Sequence, residues 1–277
     1  MRTESLDSRP CCAFAIVEFL DRCFAIPTAA VMRIRTKNCV PCLLMVFLAV
    51  FFAGTATAQV VPGCGSLENN YGPFDYRDPV AKSQHLRIVE EYHFTPDVER
   101  LIRGNTSSLI SDLDYTLRAW PNHYRALESL KRYALRGGKM TIRPAECYFK
   151  RAVAFRPDDA GAHVIYGNYL LQCAKLKNDL LRRRLQCAGV TDPGYMDKRV
   201  LKAAREQYET SLRLAPTSAE VNYDAGLFYL ELHELDTAKR LASVAYSAGY
   251  PLMGLKKGIE AAEARQMSTT SSAESSR

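Results

Sequence analysis

Residues 215–251 read APTSAEVNYDAGLFYLELHELDTAKRLASVAYSAGYP, a stretch with the pattern of two helices. Gly226 lies in the middle of the first. A glycine inside a helix costs about 1 kcal/mol against alanine, so its presence asks for a reason beyond local conformation. The rest of the chain supplies one, because the stretch has echoes.

HVIYGNYLL at 163–171 resembles NYDAGLFYL at 222–230, and Gly167 precedes Gly226 by 59 residues. The same offset of 59 relates Ala145 to Ala204, Phe149 to Tyr208 and Pro157 to Pro216. A shorter offset of 34 relates Ala204 to Ala238 and Ser211 to Ala245. The two agree if a 34-residue period carries a 25-residue insertion between Gly167 and Ala204. Fixed-period self-similarity of this size marks a stacked repeat architecture.

The period, with a glycine in the first helix, a small residue early in the second and a closing proline, resembles the tetratricopeptide (TPR) repeat family. The match is tightest over 219–251, where Gly226, Tyr229, Ala238 and Ala245 hold the signature spacing and Asn222 stands where tryptophan is usual. The unit at 160–216 keeps Gly167, Ala204, Tyr208 and Pro216 around the insertion. The unit at 124–157 keeps Leu130, Ala145, Phe149, Ala152 and Pro157, but has Lys131 at the glycine position. Residues 107–121 fit the second helix of a degenerate leading unit. The resemblance implies an all-α, TPR-like helical-hairpin solenoid over 105–265: about three units, a degenerate leading one and a capping helix that Pro251 opens. Gly226 and Ala238 are then expected to remove bulk where the two helices of a unit meet, with Phe149 and Tyr208 filling the gaps between units. Stacking supplies the core that no single unit can bury. Helix starts are expected at a Thr217/Glu220 capping box and at Asp158 and Asp236 caps.

The chain has 277 residues and a formal charge of +7. From Met32, Arg33, Arg35 and Lys37 lead an apolar run at 43–53 and a small-x-small site, Ala56-Thr57-Ala58. That is the arrangement of a secretory signal peptide over 32–58. Residues 1–31 read as a non-native upstream extension. The apolar run is short of the roughly 20 residues of a membrane span, so contact with a membrane is expected only through an uncleaved signal or lipidation at Cys64. Export to the periplasm is the expected address. Residues 59–277 hold 31 basic and 26 acidic side chains, too mild an excess for a nucleic-acid binder.

Cys64, Cys147, Cys173 and Cys187 follow the signal. An even number in an exported chain points to disulfides, with three possible connectivities. Cys173 and Cys187 on one continuous helix would stand about 21 Å apart; they meet only if KNDL at 177–180 turns the chain back. Cys64 with Cys147 is the residual pair.

Residues 59–104 are a loop-rich and helical N-terminal cap. Helices are expected from Val80 to about Tyr92 and after Thr95-Pro96, with Tyr71, Phe74 and Tyr76 laid over the first repeat helices. CGSLENNYGPFDYR, EYHFTPDVE and DLDYTLRAWPNHYRAL together resemble the leading segment of exported proteobacterial TPR proteins of unassigned function. Residues 266–277 are serine-rich and are expected to be disordered.

In a solenoid the first helices line the concave face. Arg125, Glu128, Arg132, Asn168, Tyr223 and Leu227 are therefore the expected partner groove for a protein or peptide. The insertion, about 173–199, carries Lys175, Lys177, Arg182, Arg183, Arg184, Lys198 and Arg199. This basic patch is the alternative site, for an acidic protein, lipid headgroup or envelope polymer. Glu90-x-x-His93 has half the spacing of a di-iron motif and no second copy. No zincin, nucleophile-elbow or P-loop pattern occurs. The expected function is association, with no enzyme activity, metal or cofactor.

Overall fold

The computed structural model describes residues 59–274, with side chains through 268. The predicted signal peptide and upstream extension lie outside the described residues.

Gln59 leads into a two-strand antiparallel hairpin, β1 (Val60–Val61) and β2 (Gly65–Ser66), with Val61 opposite Gly65. A loop follows to Asp78, whose side chain accepts from the Val80 N–H and starts the first helix. That helix, α1, runs through Pro79–Ala81, a π-turn at Lys82–Leu86 and Arg87–His93. Thr95 and Pro96 open the short α2 (Pro96–Glu99). Then come α3 (Leu109–Ala119), α4 (Tyr124–Leu135), α5 (Ala145–Phe155), α6 (Ala160–Lys175), α7 (Asp179–Leu185), α8 (Lys198–Leu214), α9 (Ala219–Glu231), α10 (Leu235–Ser247) and α11 (Gly254–Glu274). The described chain is thus an all-α domain of eleven helices with a small hairpin.

The helices pack in pairs. α6 lies along α8 and α9 along α10, while α3, α4 and α5 are joined by shorter contacts. A second order is superimposed: α4 touches α6, α6 touches α9 and α9 touches α11, with α5, α8 and α10 each against the following member of that row. The core runs the length of this array and includes Leu130, Phe149, Ala152, Tyr169, Ala204, Tyr208, Phe228, Ala238, Ala245 and Leu255, each fully buried.

The small and aromatic positions explain the packing, with one correction. A Cβ on Gly167 would lie 3.1 Å from the Tyr208 ring of the paired helix α8, so this glycine does admit a neighbour within its pair. Gly226 does not face α10. A Cβ there would stand 2.5 Å from Leu255 Cδ2, so the glycine is cleared for the terminal helix α11. The reason is geometric: Ala238 already supplies the close approach of α10, and the opposite side of α9 must receive the helix that closes the array. Tyr208 bridges successive pairs by stacking on Phe228 at 4.6 Å, and Phe149 does so on Tyr169 at 4.4 Å.

Helix starts differ by one or two residues from expectation. Ser218, not Thr217, caps α9 by accepting from Val221 N–H, and Asp159, not Asp158, caps α6 at Ala162. Asp236 lies inside the first turn of α10 rather than at its cap. The expected disordered tail at 266–277 is corrected through Glu274, because α11 continues that far. Ser and Thr lower helix propensity only by fractions of a kcal/mol per residue, and propagation from a packed helix tolerates that.

The N-terminal segment wraps the α3–α4 corner. Phe74 packs on Trp120 at 5.1 Å and Tyr76 on His123 at 4.2 Å. The hairpin is pinned to α5 by the Cys64–Cys147 disulfide, Cα atoms 5.2 Å apart. Cys173 and Cys187 form the second disulfide, Cα atoms 6.3 Å apart. α6 ends at Lys175 and Asn178 caps α7, so the chain does turn back at KNDL. Two disulfides point to an oxidising, extracytoplasmic environment. Among the described residues no helix is long and apolar enough to cross a membrane.

Candidate functional site

The row α4–α6–α9–α11 leaves two clefts that share Asn168. The smaller, about 270 Å³, lies between α2, α4, α6 and α9, and Arg125, Glu128, Arg132, Asn168 and Asp224 line it. The larger, about 890 Å³, lies between α6, α9, α11 and the insertion; Leu171, Leu227 and Leu230 line it beneath Tyr195 and Met196. Five of the six expected groove residues therefore border one cleft or the other. Tyr223 borders neither. It is buried, with its ring 4.4 Å from that of Tyr250, because the last turn before α11 folds over it.

Most charges in the smaller cleft are already engaged. Arg125 donates from Nε to Glu99 at 2.8 Å and pairs with Glu90 at 3.2 Å. Hydrogen bonding to Arg125 holds the Glu99 carboxyl below the usual carboxylate range. Arg132 Nη2 donates to the Glu99 carbonyl at 2.7 Å and to Ser129 Oγ at 2.8 Å. Glu128 pairs with Lys131 at 2.7 Å.

Asn168 spends both halves of its amide inside the protein. Its Oδ1 accepts from the Tyr208 hydroxyl at 2.6 Å and its Nδ2 donates to Asp224 Oδ2 at 2.9 Å. Asp224 is the less satisfied partner. Burial pushes its carboxyl pKa up, Asn168 opposes the shift, and nearby Glu220 and Glu128 add to it. A half-buried carboxylate with one side-chain hydrogen bond has remaining acceptor capacity, and Asp224 borders the cleft.

Sequence reasoning missed Asp224. The available signal was a single carboxylate within the apolar run NYDAGLFYL. It also missed the role of Lys175, which pairs with Glu231 at 2.6 Å across α6 and α9 at the edge of the larger cleft.

Five of the seven residues of the expected basic patch already have partners within the protein. Arg182 is buried and donates to the Pro193 carbonyl at 2.6 Å and to the Leu176 carbonyl, and it pairs with Asp179. Arg183 pairs with Asp192 at 2.9 Å and Arg199 with Asp197 at 2.8 Å. Arg184 reaches the Gly137 and Gly138 carbonyls at 3.2 and 3.1 Å. Lys177 and Lys198 are exposed and make no ion pair among the described residues. A folded insertion of this length needs its backbone carbonyls satisfied, and Arg182 is recruited for that task.

Glu90 and His93 have separate partners. Glu90 meets His123 Nε2 at 3.2 Å, whereas His93 Nδ1 meets Asp112 at 3.0 Å. Among the described residues no set of three metal-ligating side chains occurs, and the four cysteines are in disulfides. No family model, curated protein sequence or solved structure matches this chain.

Proposed function

We propose that this chain is an exported TPR-type scaffold of the bacterial cell envelope that binds a protein or peptide along the α4–α6–α9–α11 row. The observation that carries the reading is the contact order. Each helix of the row touches the next, and the paired helices α5, α8 and α10 stack behind them. This is how a solenoid of hairpins builds an elongated concave surface. The two clefts then act as one binding face joined at Asn168. Leu171, Leu227 and Leu230 give it an apolar section, and Asp224 and Glu128 a polar one.

Capture from envelope extract tests it. Glu128→Lys and Leu227→Arg should release a partner that wild type and Arg183→Glu both retain. Retention by the two groove variants with loss in Arg183→Glu would move the partner to the insertion. Turnover of a substrate by the purified chain alone would favour an enzyme instead.

A further inference from the structure

A third cleft, about 850 Å³, lies away from the row, between the hairpin turn, the 137–143 loop, the first turn of α5 and the end of α7. Its walls carry Lys139, Arg143, Lys150 and Arg184, and Glu146 is the carboxylate among them. The Cys64–Cys147 disulfide forms part of the wall.

The charges there are unevenly compensated. Lys150 pairs with Glu146 at 3.1 Å, and Glu146 is held in place by the Tyr166 hydroxyl at 2.6 Å. Arg143 pairs with Asp114 at 3.1 Å, but Asp114 also serves Arg118 at 2.8 Å. Among the described residues Arg184 bonds only the backbone carbonyls of Gly137 and Gly138. Lys139 is exposed and has no ion pair among the described residues. One turn along α5 from Cys147, Arg151 is 2% exposed, bonds the Ser66 carbonyl and has no ion pair among the described residues. Burial, assisted by the nearby Arg143 and opposed by Asp114, pulls its pKa down to about 10. The first turn of α5 adds to the positive charge, since Pro144 offers no side-chain cap. Apolar surface is present too, from Met140 and the half-exposed Ile142.

We propose that this cleft is a binding site for a phosphate ester. The anion sits among Lys139, Arg184, Lys150 and Arg143, and the carbon skeleton lies against Met140 and Ile142. Guanidinium and ammonium groups make charge-assisted hydrogen bonds to phosphate oxygens, and a cleft of this volume is in the range of small-ligand sites. Only Arg184 of the basic insertion takes part. The site does not depend on the partner-binding face, which lies on other helices.

The test titrates the full chain at low salt with glycerol phosphate, and in parallel with vesicles of phosphatidylglycerol or phosphatidylcholine. Saturable binding of glycerol phosphate identifies a soluble ester. Binding only to the phosphatidylglycerol vesicles identifies a lipid headgroup. In either case Lys139→Glu should weaken binding about tenfold or more, the effect of losing one hydrogen bond to a charged group, and Lys177→Glu should leave it unchanged. Lys139 is exposed, so its variant reads the ligand rather than the fold; a matching thermal midpoint would establish that. Added salt should weaken the binding. No saturable binding to any probe, or equal loss in Lys139→Glu and Lys177→Glu, overturns the proposal.

Discussion

The Tyr208 hydroxyl donates to Asn168 Oδ1 at 2.6 Å, while the Tyr208 ring fills the space left by the missing side chain of Gly167. One aromatic residue thus joins the core of the α6–α8 pair to the floor of the candidate binding face. Gly167→Ala should destabilise the protein by about 1 kcal/mol net, since overpacking costs about 1–3 kcal/mol and the helix-propensity gain returns about 1. Tyr208 cannot easily yield, being pinned by Asn168 and stacked on Phe228. Urea unfolding with an unchanged m-value would measure it. A net gain in stability would show that the ring shifts freely.

Asp224 is expected to trade stability for binding. A folded pKa raised above the ordinary 3.8 means the folded state holds its proton more tightly than the unfolded chain. The contribution to stability is present below that value and is lost as pH rises through the folded pKa. Asp224→Asn should therefore raise stability at neutral pH by about 0.5 kcal/mol while keeping an acceptor for Asn168. Loss of partner capture in the same variant would mark the carboxylate as retained for binding.

His123 gives a second pH dependence of opposite sign. Its Nδ1 accepts the Ala126 N–H and caps α4, so Nε2 carries the proton toward Glu90. Burial holds its pKa below the ordinary 6.5, although Glu90 opposes the shift and Arg125 assists it. The stability it contributes is complete above pH 6.5 and is lost as pH falls through the folded pKa. Glu90, held low by its hydrogen bond to His123, contributes a further loss in the carboxylate range. His123→Asn keeps a cap acceptor and should flatten the slope of unfolding free energy just below pH 6.5.

The disulfides should be silent to alkylation until reduced. A chain beginning at Gln59 is expected to take up four labels after reduction and none before. Replacing Cys173 and Cys187 by serine opens the loop, whose ends are 14 residues apart, and should cost about 3 kcal/mol. The loop of 83 residues between Cys64 and Cys147 should cost about 4.5 kcal/mol.

Arg182 and Arg183 are neighbours in sequence with different consequences. Arg182→Ala leaves the Pro193 and Leu176 carbonyls without their guanidinium donor in a buried setting. It should destabilise the insertion by about 2 kcal/mol and open it to limited proteolysis between 176 and 197. Arg183→Ala removes an exposed pair with Asp192 and should change stability by under about 0.5 kcal/mol.

The sequence by itself placed several of the helices: one from Val80 to about Tyr92 where α1 lies, the Thr95–Pro96 start of α2 and the paired α9–α10; the turn at KNDL it gave only as the condition for Cys173 to reach Cys187. These follow from apolar periodicity and from glycine, proline and capping side chains, all of which act over a few residues. It also singled out Ala204, Ala238, Phe149 and Tyr208 as buried, because a repeated small or aromatic residue at a fixed period reports a repeated packing contact. Tertiary structure alone decided which surface each polar or glycine residue met. Gly226 received Leu255 rather than α10, Tyr223 was covered by Tyr250, and the arginines of the insertion were divided among carbonyls and aspartates. Ion pairs and backbone satisfaction depend on partners tens of residues away, and spacing along the chain carries no record of them.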